Sequence, residues 1–158
     1  MVFYNLLLYF LFPLAFLRLF SKKEFSNAEL NRIRERLGPI EFENCSQPIW
    51  IHAVSVGEVK VAALIIKELK SNVKDLNFLI TTTTVAGSKE FNKHFGSEIA
   101  HQYLPFDLNG ITKNFIYKIK PKCLILIETE IWPNLINNCH KNKIPVLLLN
   151  GRMSDKSL

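Results

Sequence analysis

The chain has 158 residues, 48% hydrophobic and 22% charged, a balance that excludes wholesale disorder, collagen-like repeats and low-complexity fibres. That length holds one compact domain and is too short for two full ones. The net charge of +6 is uneven, with 6 basic and 3 acidic groups in residues 1–40, 6 and 8 in 41–110, and 8 and 3 in 111–158. Basic flanks around a slightly acidic centre suit an anionic membrane or a phosphorylated partner. Nucleic acid, which wants a concentrated basic stripe, is not expected.

Residues 2–20 read VFYNLLLYFLFPLAFLRLF, with no charge before Arg18. The run is marginal for a bilayer span, which needs about 20 apolar residues, and Pro13 is expected to kink a helix there. It starts without Lys or Arg and lacks small residues at its end, so it does not read as a cleavable signal. Arg18, Lys22 and Lys23 follow, then Arg32, Arg34 and Arg36. By the positive-inside rule these keep the downstream chain on the cytoplasmic side. The expectation is an uncleaved hydrophobic anchor helix over residues 1–20, spanning or lying in the interface, with a buried core helix as the alternative.

Residues 21–47 form a polar, basic connector. Within it 26–38 predicts a helix: Ser26 offers an N-cap, Glu29 follows three residues on, and Gly38 stops it. Its basic face lies against anionic headgroups or is simply solvated. From residue 48 to 158 short apolar runs at 49–53, 78–82, 100–104, 123–127 and 146–149 predict strands. Helical stretches lie between them, the clearest being 58–70, where Val59, Ala62, Ala63 and Ile66 recur at three- and four-residue spacing. Strands alternating with single helices predict an α/β domain with a parallel sheet covered on both faces.

In such a sheet ligands bind beyond the carboxyl ends of the strands, and the polar clusters fall there. The first strand leads into His52-Ala53-Val54-Ser55-Val56-Gly57-Glu58 and the second into Thr81-Thr82-Thr83-Thr84-Val85-Ala86-Gly87. The third leads into Pro105-Phe106-Asp107, the fourth into Glu128-Thr129-Glu130-Ile131-Trp132-Pro133-Asn134, and the fifth into Asn150-Gly151-Arg152. Two carboxylates directly after a buried strand are costly unless they face a cleft or find partners. The pattern marks a site without naming a reaction.

Several sites are excluded. The glycines make neither G-x-G-x-x-G nor a P-loop. The four histidines show no metal-ligand spacing, so no metal and no cofactor is expected, and His52 reads as a satisfied strand-end histidine. Cys45, Cys123 and Cys139 are sparse and odd in number, which suggests reduced thiols, with Cys123 buried and inert. Ala53-Val54-Ser55-Val56-Gly57 is similar to a serine-hydrolase elbow, and Asp107 and His140 follow in order. That elbow, however, sits after the first strand, and His140 falls within a helix, so this stays a minor alternative.

Taken together the motifs resemble the N-terminal half of the bacterial Kdo transferases, which add 3-deoxy-D-manno-octulosonic acid (Kdo) to the lipid A precursor of lipopolysaccharide. The match covers the hydrophobic start, Glu35-Arg36-Leu37-Gly38, Trp50 through Glu58, the threonine run, Pro105-Phe106-Asp107, Glu128 through Asn134, and Asn150-Gly151-Arg152-Met153-Ser154. One departure is Gly151, where the family usually carries Ala. The resemblance implies a Rossmann-like parallel sheet, the first domain of a B-type glycosyltransferase, carrying out a metal-independent, inverting transfer. It implies Glu58 as the general base, with Glu128 and Glu130 dividing the tasks of facing the cleft and bracing backbone, Glu130 favoured for the cleft. Ser55, Gly57, Thr82, Thr83 and Arg152 would meet the lipid A precursor. The donor, CMP-Kdo, would be held by a second domain that 158 residues leave no room for, so the sequence looks like a truncated or split product that lacks transfer on its own. The implied location is the cytoplasmic face of the bacterial inner membrane, with anionic lipid as a further partner. The alternative is a non-catalytic, membrane-attached acceptor half that needs a separate donor domain.

Overall fold

Five apolar runs pair side by side in one parallel sheet. They are β1 (Ile49–His52), β2 (Phe78–Thr82), β3 (Ala100–Tyr103), β4 (Cys123–Ile127) and β5 (Val146–Leu149), in the spatial order β3-β2-β1-β4-β5. The computed structural model describes residues 2–20, 27–38, 46–128 and 130–151. Lys22, Lys23, Ser26 and its expected cap, Cys45, Thr129 and Arg152 lie outside them. Every position of β2 is buried and so are four of five in β4, the burial expected of inner strands covered on both faces. Ala53 and Leu104 still donate to Thr81 O and Thr82 O, so the expected strand ends differ from the observed ones by a residue of assignment.

Between the strands run α3 (Val56–Asn72), α4 (Val85–Phe95), α5 (Asn109–Ile119) and α6 (Pro133–Lys141). The two-residue period of each strand feeds two separate cores. Ile51, Ile80, Ile125 and Ile127 pack against Val59, Ala62 and Ile66 of α3 and Phe91 of α4. Trp50, Leu79, Leu124 and Leu126 pack against Phe115, Ile116 and Ile119 of α5 and Leu135 and Cys139 of α6. The result is a three-layer α/β architecture, consistent with the Rossmann-like domain that was expected. Each fully buried large side chain contributes on the order of 1.5–3 kcal/mol relative to exposure.

Two helices precede the sheet, α1 (Val2–Phe20) and α2 (Asn27–Leu37). Tyr4, Asn5, Leu8 and Phe12 are half-buried, at the spacing of one helix face. Tyr4 Oη donates to Asp107 at 2.8 Å and the Phe12 ring meets Phe106 edge-on at 5.1 Å. Phe3, Leu6, Leu7 and Phe10 on the rest of the helix are exposed. Over residues 2–13 one face of the helix docks and the other stays open. Among the described residues no helix is long and apolar enough to cross a membrane.

The second helix meets the carboxyl end of β3. Glu35 accepts from Tyr103 N at 2.6 Å, Gln102 Nε2 donates to Glu35 O at 3.1 Å, and Phe106 N donates to Arg36 O at 2.9 Å. The guanidinium of Arg36 lies 5.4 Å from the Tyr103 ring centre and 5.6 Å from that of Phe106, and Arg32 lies 5.4 Å from Tyr103. The basic face expected to meet headgroups or solvent is thus partly turned onto the domain, leaving Arg34 exposed.

Candidate functional site

The strand order reverses between β1 and β4. From β1 the chain crosses toward β2 and β3, and from β4 it crosses toward β5, so the carboxyl ends of β1 and β4 open onto the topological switch point. Register puts His52 beside Leu126, one residue short of the end of β4. Glu58 follows β1 and Glu128 and Glu130 follow β4. The three acidic residues collect at this point.

Glu58 stands in the first turn of α3 and is 4% exposed. Its Oε2 accepts from Val54 N at 2.7 Å and its Oε1 from Ser55 N at 3.2 Å, while Glu58 N donates to Ser55 Oγ at 3.4 Å. This is a capping box, and the S-x-x-E spacing of Ser55 and Glu58 was a signal for it. All these contacts are those of a capping residue. Each carboxylate oxygen has a second lone pair in an orientation fixed by backbone, but at 4% exposure little of the group is open to a hydroxyl donor.

The loop under Glu58 is braced from β2. Thr84 Oγ1 donates to Val54 O at 2.7 Å and accepts from Gly87 N at 3.0 Å. A Cβ on Gly87 would stand 2.7 Å from Val54 O, so the end of α4 approaches this loop as closely as a side chain would forbid. Thr84 closes the threonine run and is the N-cap of α4, a role that was not read from the sequence.

Glu128 sits in the left-handed region at φ 63°, and its N–H closes the ladder to Leu149 O at 2.8 Å. Glu130 is half-buried, and its Oε2 accepts from the Trp132 indole N–H at 3.0 Å. Burial first, then the charge of Glu58, raises its pKa; the Trp132 bond opposes this and the charge of Glu128 adds to it. Trp132 packs against the second core and meets His52 edge-on at 6.1 Å, so it serves packing and Glu130 together.

His52 is fully buried, with Nδ1 at 3.0 Å from both Thr81 O and Thr81 Oγ1. A carbonyl oxygen only accepts, which assigns the proton to Nδ1. Nε2 is then a buried acceptor with no hydrogen-bond partner among the described residues, so the histidine is satisfied on one side only. Burial lowers its pKa to about 4 against the opposing bond to Thr81, and the charge of Arg36 lowers it further.

Of the other expected residues, Ser55, Gly57, Thr82 and Thr83 are described, and Arg152 lies outside the described residues. Ser55 Oγ is engaged by the cap, and Gly57 is exposed in the first turn of α3. The Thr82 hydroxyl is buried against His101 Nε2 at 3.0 Å, and the carbonyl of Thr83 accepts from Arg36 Nη2 at 2.7 Å. Arg36, which brings a cation to the threonine run, was read in the sequence among the basic residues and in the Glu35-Arg36-Leu37-Gly38 motif, without a role at the site. A hydrolase triad is not assembled: Asp107 binds the N-terminus of α6 whereas His140 lies in its last turn. Cys123 is half-buried rather than buried, and among the described residues Cys139 is the fully enclosed thiol, pushed up to about 12 by burial. Among the described residues no group of three His, Cys, Asp or Glu side chains is arranged to hold a metal ion.

Residues 31–158 match the family model described as 3-Deoxy-D-manno-octulosonic-acid transferase (kdotransferase). The chain is 38% identical over 159 residues to the 3-deoxy-D-manno-octulosonic acid transferase of Haemophilus influenzae, covering 98% of this chain and 37% of that protein. It is 35% identical over 156 residues to the protein of the same name from Rickettsia bellii, again covering 98% and 37%. A bifunctional glycosyltransferase/methyltransferase of Fusobacterium nucleatum is 38% identical over 111 residues, 69% of this chain and 17% of that protein. The chain thus spans little more than a third of the length of the curated relatives it matches most fully.

Proposed function

The chain belongs to the 3-deoxy-D-manno-octulosonic acid transferase family, and on that premise we propose that it supplies the acceptor-binding domain of an inverting Kdo transferase of the B type. The observation that carries this reading is the convergence of Glu58, Glu128 and Glu130 at the β1/β4 switch point, with Trp132 holding Glu130. Glu58 is the general base. It takes the proton from a sugar hydroxyl of the lipid A precursor as that oxygen attacks the anomeric carbon of Kdo. The bond from that carbon to the CMP phosphate breaks, and CMP departs with the electron pair. Metal is not required, because the leaving group is already a stabilised phosphate anion.

Glu130 faces the cleft, and its raised pKa suits it to share the proton that Glu58 receives. Glu128 ties the end of β4 to β5 through its backbone N–H. The amides at the start of α3, at Val56 and Gly57, favour an anionic group such as a lipid A phosphate, beside Ser55 and Thr83, whereas the Thr82 hydroxyl is buried against His101 and is not offered to it. Arg152 completes this acceptor side. CMP-Kdo binds a second Rossmann-like domain across the cleft. The open apolar face of α1 lies in the interface on the cytoplasmic side of the bacterial inner membrane, in contact with anionic lipid. A second reading, a non-catalytic acceptor half, is favoured by the capping contacts that engage both oxygens of Glu58.

The test joins this chain to the C-terminal part of the Haemophilus influenzae relative and measures Kdo transfer from CMP-Kdo to lipid IVA. The chimera is expected to transfer Kdo and the 158-residue chain alone is not. Turnover by the chain alone refutes the need for a second domain. A folded, donor-binding chimera without turnover favours the non-catalytic reading.

A further inference from the structure

Asp107 is a carboxylate that the transfer does not use and that the fold nevertheless encloses, at 7% exposure. Its Oδ2 accepts from Tyr4 Oη at 2.8 Å and from Asn134 N at 3.0 Å, and its Oδ1 accepts from Leu135 N at 2.8 Å. Helix α6 has no side-chain cap of its own: Trp132 stands at its N-cap position without a capping bond. Asp107 therefore caps α6 from another loop, with the negative charge that a helix N-terminus favours. Asn134 doubles the tie, its Nδ2 donating to Asp107 O and, at 2.7 Å, to Asn5 Oδ1 of α1.

On one side of this junction lies α1, whose outward residues Phe3, Leu6 and Phe10 are 81%, 64% and 76% exposed. On the other, the residues leading into the capped turn are Glu130, Ile131 and Trp132, with the indole on the Glu130 carboxylate. A single buried carboxylate stands between an open apolar face and the acidic cluster. We propose that Asp107 is a positioning residue that latches α1 to the N-terminus of α6, so that contact of α1 with a lipid surface is transmitted to Trp132 and Glu130. The lipid part rests on the membrane reading given above; the latch itself does not.

The chain holds two tryptophans, and Trp50 is wholly buried, so acrylamide quenching of fluorescence reports Trp132. In solution Tyr4→Phe, which removes one hydroxyl, is expected to raise that quenching about twofold or more by loosening the capped turn. Asp107→Ala should do the same, and Asp107→Asn should restore most of the protection, because an amide oxygen also caps. A merely structural role would lower the melting temperature and leave the quenching of the folded chain unmoved. Should Asp107→Ala fail to fold, Tyr4→Phe carries the test. With vesicles of phosphatidylethanolamine and phosphatidylglycerol, co-sedimentation measures binding. The bound native chain is expected to change its Trp132 quenching, and bound Tyr4→Phe is not. Unchanged quenching of Tyr4→Phe in solution overturns the latch. Binding without a response at Trp132 overturns the transmission, and absence of binding overturns the membrane reading while the solution result still judges the latch.

Discussion

Glu130 keeps its proton to higher pH than an ordinary glutamate, because it is partly buried beside Glu58 and Glu128. The sign of the linkage follows from that direction. Stability is fully present while Glu130 is protonated and is lost as pH rises through its raised folded value. Glu130→Gln leaves an oxygen for the Trp132 indole and removes a charge from an acidic cluster. It is expected to melt at the same temperature as the native chain or higher at neutral pH, while transfer by the chimera falls. A loss of several degrees would contradict the account. Histidine works the other way. His101 is lowered to about 4 by burial and bonds the Thr82 hydroxyl. The stability it contributes above its ordinary 6.5 is lost as pH falls toward 4. That loss is about 3 kcal/mol for a shift of this size. The urea midpoint of His101→Gln should vary less than that of the native chain across this window, and parallel curves would refute the assignment. The cost of two carboxylates after a buried strand was legible beforehand, but the burial of His101 was not, since it is a property of neighbours distant in the chain.

At the scale of elements, all five strands and the helix over 58–70 were legible from apolar runs and three- and four-residue spacing. The two-sided burial expected of the sheet holds for its inner strands and not for β5, whose Leu147 and Leu148 are exposed. What was not legible is how elements grip each other. Tyr4 and Asp107 are 103 residues apart and Asn5 and Asn134 are 129 apart, so no local period shows that one face of α1 docks. The brace between α4 and the loop below Glu58 was hidden in the same way. It predicts that Gly87→Ala is destabilising, because the added carbon meets the backbone oxygen of Val54 at 2.7 Å rather than a yielding side chain. The expected loss is roughly 1–3 kcal/mol in a denaturant titration. Thr84→Val, which deletes the hydroxyl that bonds Val54 O and caps α4, should cost about 1 kcal/mol. Thr84→Ser should recover most of it. Equal stability of Thr84→Val and the native chain would show that the brace carries no weight.

For the whole molecule, the order β3-β2-β1-β4-β5 accounts for the gathering of three acidic residues separated by up to 72 positions in the chain. The sequence located their strand ends; adjacency of β1 and β4 is what makes them one site. Ser55 and the exposed Gly57 follow β1, at the same switch point. The most direct measurement is single-turnover Kdo transfer by the chimera carrying Glu58→Gln. The account predicts a fall of about 10²–10⁴ in the rate of the chemical step, with acceptor affinity nearly unchanged. Glu58→Gln that folds and transfers within a few-fold of the native rate would contradict it.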